Sequence, residues 1–141
     1  MRVGVVASRF NEEIAAGLLE RTRAAAKELG VASLSVEQVP GALEIPLALQ
    51  WMAQSGKFDA LVAVGCVIRG DTFHFDVVAS ESARGVMDVA LEFGLPVGNG
   101  ILTTENEQQA MARLDKGAEA LRAAVEMARL HARVKAGEWV K

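Results

Sequence analysis

DALVAVGCVI, residues 59–68, is an apolar run rich in β-branched side chains, and its length is typical of a strand buried on both faces of a parallel sheet. The segment RGDTFHFD follows at once over residues 69–76 and is crowded with ionisable and hydroxyl side chains. In open parallel sheets, ligands bind beyond the carboxyl ends of the strands. The junction after Ile68 therefore predicts a binding edge as well as a central strand.

The segments on both sides of this strand continue a pattern of alternating strands and helices. Arg2–Ala7 and about Leu34–Val39 predict strands, and the helix between them is expected to start with Asn11 as its cap and to stop at Gly30. The other predicted elements are helices over Ala42–Gln54, Asp76–Phe93, Asn106–Arg113 and Gly117–Lys135, and a strand over Leu95–Leu102.

Strands that alternate with helices imply right-handed crossovers and a parallel sheet covered on both faces. We predict an α/β fold, a three-layer, doubly wound (flavodoxin-like) parallel sheet of about four strands with helices on both faces. The 141 residues contain no Pro/Gly/Ser-rich linker and no internal repeat, so a single domain over residues 1–141 is expected.

Composition and charge exclude several classes of function. The chain is 51% hydrophobic and 23% charged, with a formal net charge of −3, which argues against a nucleic-acid-binding surface. Cys66, the only cysteine, is expected to be a small core residue, and a chain that cannot form an internal disulfide fits a reducing cytoplasm. Residues 60–68, the longest uncharged apolar run, fall far short of the roughly 20 residues of a membrane-spanning helix. We expect a cytoplasmic protein without a nucleic-acid or membrane partner.

Polar groups follow each predicted strand, and the four segments concerned are expected to meet at one edge of the sheet. They are Ser8–Asn11, Pro40–Glu44, Arg69–Phe75 and Thr103–Asn106. Each contributes at least one hydrogen-bonding group, and the first contributes an aromatic side chain. A convergence of polar groups at one concave edge predicts a small-molecule site.

Three residues in these segments have both a functional and a structural interpretation. His74 is either a general acid/base, because imidazole titrates near neutral pH, or a helix-entry histidine packed between phenylalanines. Phe10 is either an exposed stacking face or a side chain folded back on the core. Glu44 either accepts hydrogen bonds from ligand hydroxyls or caps a helix.

Cationic side chains and backbone groups give a second set of alternatives. Gly70–Thr72 either receives a phosphate at the start of a helix or forms a simple turn. Arg69 either holds an anion or forms an ion pair at the strand end. Arg113 and Lys116 bind an anion only if the fold brings them near a crevice. The two histidines lie far apart in the sequence, so no metal site is expected.

Five stretches of the chain, in their order and spacing, resemble the lumazine synthase family. They are SRFN (8–11), PGALEIPLA (40–48), GCVIRGDTFHFD (65–76), NGILTTENEQQA (99–110) and KGAEA (116–120). Together they span nearly the whole chain, so the resemblance is far more specific than any single motif. It implies an enzyme of riboflavin biosynthesis that works without a metal or organic cofactor. The implied reaction condenses 5-amino-6-(D-ribitylamino)pyrimidine-2,4-dione with 3,4-dihydroxy-2-butanone 4-phosphate to 6,7-dimethyl-8-ribityllumazine, releasing phosphate and water.

The resemblance also implies roles for individual residues at the matching positions. His74 is expected to transfer protons, Phe10 to stack on the pyrimidine ring, and Arg113 to bind the phosphate group. The other implied substrate-binding residues are Asn11, Ala42, Leu43 and Glu44 at the ribityl chain, Val67 and Ile68 at the pyrimidine edge, Gly70, Asp71 and Thr72 at the phosphate, Lys116 at a lysine of the family's motif, and Asn99 where an aromatic residue often faces the adjacent subunit's site.

The resemblance implies a homo-oligomer, a pentamer or a multiple of one, with sites between neighbouring subunits. Asn99 and the short link from Arg113 to Lys116 depart from the family's pattern, so a pentamer, paired pentamers and a sixty-subunit shell all stay open. Two other functions stay open as well: a flavodoxin-like module that holds flavin or a lumazine without turnover, and a shell protein with a vestigial site. SRFN lacks the Gly/Thr-rich phosphate loop of a flavin mononucleotide site, which ranks the binding module lower.

Overall fold

A four-stranded parallel sheet forms the centre of the molecule. The structure, a computed structural model, describes residues 1–139. The strands in this part of the chain are β1 (Arg2–Ser8), β2 (Ser33–Val39), β3 (Ala60–Ile68) and β4 (Val97–Thr104), in the spatial order β2-β1-β3-β4. Each pair of neighbouring strands is parallel, which confirms the predicted sheet.

Helices cover both faces of this sheet. They are α1 (Glu12–Glu28), α2 (Ile45–Gln54), α3 (His74–Phe93), α4 (Glu107–Met111) and α5 (Lys116–Lys135), with a 3₁₀ turn over Ala42–Glu44 before α2. Helices α1 and α5 pack on one face, and α2 and α3 pack on the other. The predicted three-layer arrangement is therefore confirmed. None of the helices within residues 1–139 is long and apolar enough to cross a lipid bilayer.

The alternation of side chains along the strands divides the core into two halves. On β1, Val3 and Val5 pack toward α1 and α5, whereas Val6 packs toward α2 and α3. On β3, Val62 belongs to the first half and Leu61 to the second. The central strand is thus covered on both faces, and its burial ends where the polar segment after it begins.

Four predicted boundaries are wrong by two residues: both ends of β4, the start of α3, and the end of α4, which stops at Met111 and not at Arg113. Strand β4 begins at Val97 and not at Leu95, because it pairs residue by residue with β3, with Val97 opposite Leu61. Helix α3 begins at His74 and not at Asp76. The earlier start places the histidine in the first turn of the helix, at the carboxyl edge of the sheet.

The start of α1 corrects the role predicted for Asn11. The residue precedes the helix as expected, but its φ of 59° is left-handed, and its side chain caps no N–H group within the described chain. Its Nδ2 atom instead donates to the carbonyl oxygen of Cys66 on β3, 3.5 Å away. The amide therefore faces the end of the central strand. The end of α1 is as predicted, since Gly30 takes a φ of 70° just after it.

Candidate active site

The carboxyl end of β3, the segments that follow β1 and β2, and the start of α3 (His74–Phe93) line a cleft of about 420 Å³, the Phe10 cleft. It lies where a doubly wound sheet binds its ligands, beyond the carboxyl ends of neighbouring strands. The predicted site residues that line it are Phe10, Asn11, Ala42, Leu43, Glu44, Val67, Ile68 and His74. The fold therefore brings together the residues implied for the pyrimidine, the ribityl chain and proton transfer.

Phe10 presents an aromatic face at this cleft. The residue is 65% exposed, which confirms the exposed alternative over the folded-back one. The backbone before it is held in place, because the N–H of Arg9 donates to the carbonyl oxygen of Val39 at 2.9 Å. This hydrogen bond ties the segment after β1 to the last residue of β2, so the ring projects from a fixed backbone.

Glu44 lines the same cleft with an exposed carboxylate. It ends the 3₁₀ turn and stands directly before α2, but its side chain makes no capping hydrogen bond to any residue in the range 1–139. The capping interpretation is therefore wrong. A carboxylate in this position offers acceptors to a ligand that carries hydroxyl groups.

His74 is the first residue of α3 and also lines the Phe10 cleft. The histidine is exposed, and the neighbouring Phe73 is 74% exposed. Packing between two phenylalanines is therefore the wrong interpretation. Val78 lines the cleft four residues later, on the same face of the helix. The start of α3 thus presents an accessible imidazole to the space beside Phe10.

Arg69 forms ion pairs at the end of β3, as one of its two interpretations predicted. Its Nε atom lies 2.9 Å from Oε2 of Glu105, and its Nη1 atom lies 3.8 Å from Oδ2 of Asp76. Its guanidinium carbon is 4.4 Å from the centre of the Phe75 ring. The arginine therefore joins the segments after β3 and β4, and its charge is already engaged by two carboxylates.

Arg113 and Lys116 lie in a second cleft, of about 480 Å³, the Arg113 cleft. Thr103 and Thr104 at the end of β4 contribute hydroxyl-bearing side chains to its lining. The Nη1 atom of Arg113 donates to the carbonyl oxygen of Gln109 at 2.9 Å, which fixes the guanidinium against α4. Among residues 1–139, the two clefts share no lining residue. One chain therefore keeps the implied phosphate-binding cations apart from Phe10 and His74.

Similarity to known proteins extends over most of the chain. A family model described as 6,7-dimethyl-8-ribityllumazine synthase matches residues 1–132. This chain belongs to the lumazine synthase family. It is 54% identical over 133 residues to the 6,7-dimethyl-8-ribityllumazine synthase of Paraburkholderia phymatum, covering 92% of this chain and 77% of that protein. The synthase of Azoarcus sp. is 52% identical, covering 92% of this chain and 85% of that protein. The synthase of Chromobacterium violaceum is 53% identical, covering 93% of this chain and 86% of that protein.

Some residues implied by the lumazine synthase pattern lie outside both clefts. Gly70, Asp71 and Thr72 are exposed between β3 and α3, and Thr72 Oγ1 accepts a hydrogen bond from the N–H of His74 at 3.3 Å. Asn99 is exposed on β4, at the edge of the sheet, where its Oδ1 atom accepts a hydrogen bond from the N–H of Ile101 at 2.9 Å. These positions face outward from the chain.

Three further residues line the Phe10 cleft and were not predicted as lumazine synthase site residues: Gly41, Cys66 and Val78. Val78 carries a signal in the sequence, because it follows His74 at helical spacing. Gly41 carries a weaker one, as a glycine directly before Ala42-Leu43-Glu44 in a segment expected at the binding edge.

Cys66 is buried, as predicted for a core residue. Burial raises the pKa of its thiol to about 11, and a repulsive contribution from Glu107 adds to this, while a hydrogen bond with Thr104 partly opposes it. The thiol is therefore neutral at physiological pH and is not an activated nucleophile. Within residues 1–139, no group of His, Cys, Asp and Glu side chains is arranged to hold a metal ion.

Proposed function

We propose that this chain is a 6,7-dimethyl-8-ribityllumazine synthase. It condenses 5-amino-6-(D-ribitylamino)pyrimidine-2,4-dione with 3,4-dihydroxy-2-butanone 4-phosphate, and releases phosphate and water. The single observation that carries this proposal is the Phe10 cleft, which puts an exposed ring, an exposed carboxylate and an accessible imidazole around one space. Membership of the lumazine synthase family supports the choice of substrates.

The pyrimidine substrate binds in the Phe10 cleft under this proposal. Its ring stacks on Phe10, and its polar edge meets the backbone of Val67 and Ile68 at the end of β3. The ribityl hydroxyls donate to the carboxylate of Glu44. Because the Nδ2 atom of Asn11 is directed to the Cys66 carbonyl, its Oδ1 atom is left to accept from a ribityl hydroxyl.

The chemistry needs proton transfers and positioning more than a protein nucleophile. The substrate amine forms a Schiff base with the butanone carbonyl, phosphate leaves after enolisation, and the second nitrogen closes the ring. His74 carries protons between these groups and accelerates the reaction by about 10²-fold. Holding the two substrates in register supplies more, since effective molarities can reach about 10⁵ M. The reaction as proposed uses no metal and no organic cofactor.

The phosphate group is held by two parts of the protein that one chain keeps apart. Gly70–Thr72 offers backbone N–H groups at the start of α3, where the helix dipole favours an anion. Arg113 and Lys116 offer cations, but they line the other cleft. We therefore propose that the Arg113 cleft of one copy meets the Phe10 cleft of another, in a pentamer or a multiple of one. Head-to-tail contacts of this kind form a closed ring when the rotation between neighbouring copies is a whole fraction of a turn.

The proposed partners are thus the two small-molecule substrates and other copies of the chain, in the cytoplasm. The free, buried Cys66 fits a reducing compartment.

Mixing the purified chain with both substrates tests the proposed function. We expect inorganic phosphate and the lumazine product to form together and in equal amounts, without added metal or cofactor. The lumazine is followed by its absorbance. A protein that binds lumazine or flavin but releases no phosphate from the two substrates would be a binding module, and the proposal would be wrong.

A further inference from the structure

Gly41 occupies a buried position directly beneath the exposed ring of Phe10. A Cβ atom placed on this glycine would lie 2.8 Å from Cδ2 and 2.9 Å from Cε2 of that ring. These separations are far inside the ordinary carbon–carbon contact distance of about 3.5–4.0 Å. The ring can take its present position only because residue 41 has no side chain.

The conformation of the backbone does not itself require glycine at this position. Gly41 has φ of −145° and ψ of −180°, an extended conformation that any residue adopts. Glycines that end helices in this protein differ, since Gly30 and Gly94 have φ of 70° and 57°. The structure therefore needs Gly41 for space and not for its backbone freedom.

The same glycine borders a second group of the proposed site. The Cβ atom that residue 41 lacks would lie 3.3 Å from Oε1 of Glu44, so the carboxylate also comes close to this point of the backbone. Phe10 and Glu44 come from segments after different strands, β1 and β2. The proposed stacking ring and the proposed ribityl acceptor thus both lie close to the Cβ position that Gly41 leaves empty.

On the basis of the proposed function, we infer that Gly41 is a positioning residue. Its lack of a side chain lets the Phe10 ring take the position and orientation in which it stacks on the pyrimidine. The backbone around the ring is already fixed, through the hydrogen bond from Arg9 to Val39. The clash between a methyl group at residue 41 and the ring is therefore relieved by rotation of the Phe10 side chain. Since Phe10 is 65% exposed, that rotation meets little resistance from the core.

The substitution Gly41→Ala separates positioning from folding. We expect the dissociation constant for the pyrimidine substrate alone to rise about tenfold, because the displaced ring stacks less well on the pyrimidine. The denaturant midpoint of unfolding is expected to stay near that of the wild type, because the displaced ring is exposed. The KM for the butanone phosphate is expected to be unchanged, since its proposed cations lie in the Arg113 cleft.

A double-mutant cycle with Phe10→Ala provides the matched control. In the Phe10→Ala background no ring is present to be displaced, so adding Gly41→Ala is expected to leave pyrimidine binding unchanged. In a Glu44→Ala background the tenfold loss is expected to persist. If Gly41→Ala weakens binding equally with and without Phe10, the methyl acts through another group and the inference is overturned.

The outcome for the wild type keeps this test independent of the proposed function. If the wild-type chain does not bind the pyrimidine at all, the proposed function fails. If the wild type binds it and Gly41→Ala binds it equally well, the positioning role of Gly41 alone is rejected.

Discussion

The Nε atom of Arg69 lies 2.9 Å from Oε2 of Glu105, so a single ion pair joins the segment after β3 to the segment after β4. Both side chains are more than one-third exposed, which limits what the charge pair alone contributes. The arginine also packs on Phe75, and its second carboxylate partner, Asp76, lies in α3. Arg69 thereby braces the segment that leads to His74.

Replacing Arg69 by alanine tests this brace. We expect the free energy of unfolding to fall by about 1 kcal/mol, from the combined loss of the ion pairs and the contact with the aromatic ring. Denaturant titration measures this change. Arg122→Ala is the matched control, because its pair with Glu28 is exposed and 3.9 Å long. Equal losses in the two variants would show that Arg69 has no special structural role.

The substitution His74→Ala tests the proton-transfer role. We expect kcat to fall about 10²-fold, while the dissociation constant for the pyrimidine changes little because the Phe10 ring and Glu44 remain. Steady-state kinetics and a binding titration measure the two quantities. His131→Ala, an exposed histidine on α5, is expected to keep the wild-type rate. An unchanged kcat in His74→Ala would remove the imidazole from the mechanism.

The substitution Arg113→Ala tests phosphate recognition. Loss of a charge-assisted contact is expected to raise the KM for the butanone phosphate about tenfold or more, with pyrimidine binding retained. The same measurement on Arg122→Ala, an exposed arginine on α5, controls for loss of surface charge. A parallel loss for both substrates would point to damage to the fold and not to phosphate binding.

The raised pKa of Cys66 predicts how stability depends on alkaline pH. Between the ordinary thiol value of 9.0 and the folded value of about 11, the unfolded chain loses the thiol proton while the folded chain keeps it. The free energy of unfolding therefore falls as pH rises through this window, and is unaffected by this group below it. In Cys66→Ala this contribution disappears. If the free energy of unfolding falls equally steeply with pH in the wild type and in Cys66→Ala, the burial of the thiol is contradicted.

The order of strands and helices could be predicted from the sequence, because burial within one chain determines the spacing of apolar residues along each strand and helix. The run 60–68 is apolar throughout since both faces of β3 are covered, and α1 alternates buried and exposed faces at helical spacing. The exact start of β4 could not be predicted, because it depends on pairing with β3. Asn11 resembles a helix cap in sequence, yet its amide is drawn to the Cys66 carbonyl by a contact that only the fold creates.

The candidate site could be predicted in part for the same reason. Residues that directly follow β1, β2 and β3 meet because parallel strands end at one edge. Arg113 lies farther along the chain, after β4 and α4, and the distance in sequence gives no indication of which cleft it lines. The spatial role of Gly41 could not be predicted from the sequence either, because Gly41 and the Phe10 ring beside it lie in segments that follow different strands.

In the proposed enzyme, the Phe10 cleft of one copy and the Arg113 cleft of another are the two halves of one site. Mixing His74→Ala and Arg113→Ala chains under dissociating conditions, and then reassembling them, tests this arrangement directly. In a closed ring assembled at random from equal amounts of the two variants, about a quarter of the junctions have both halves intact. The mixture, assayed at low butanone phosphate, should therefore show about a quarter of the wild-type rate. A mixture that shows only the average of the two variants' rates would contradict the shared site.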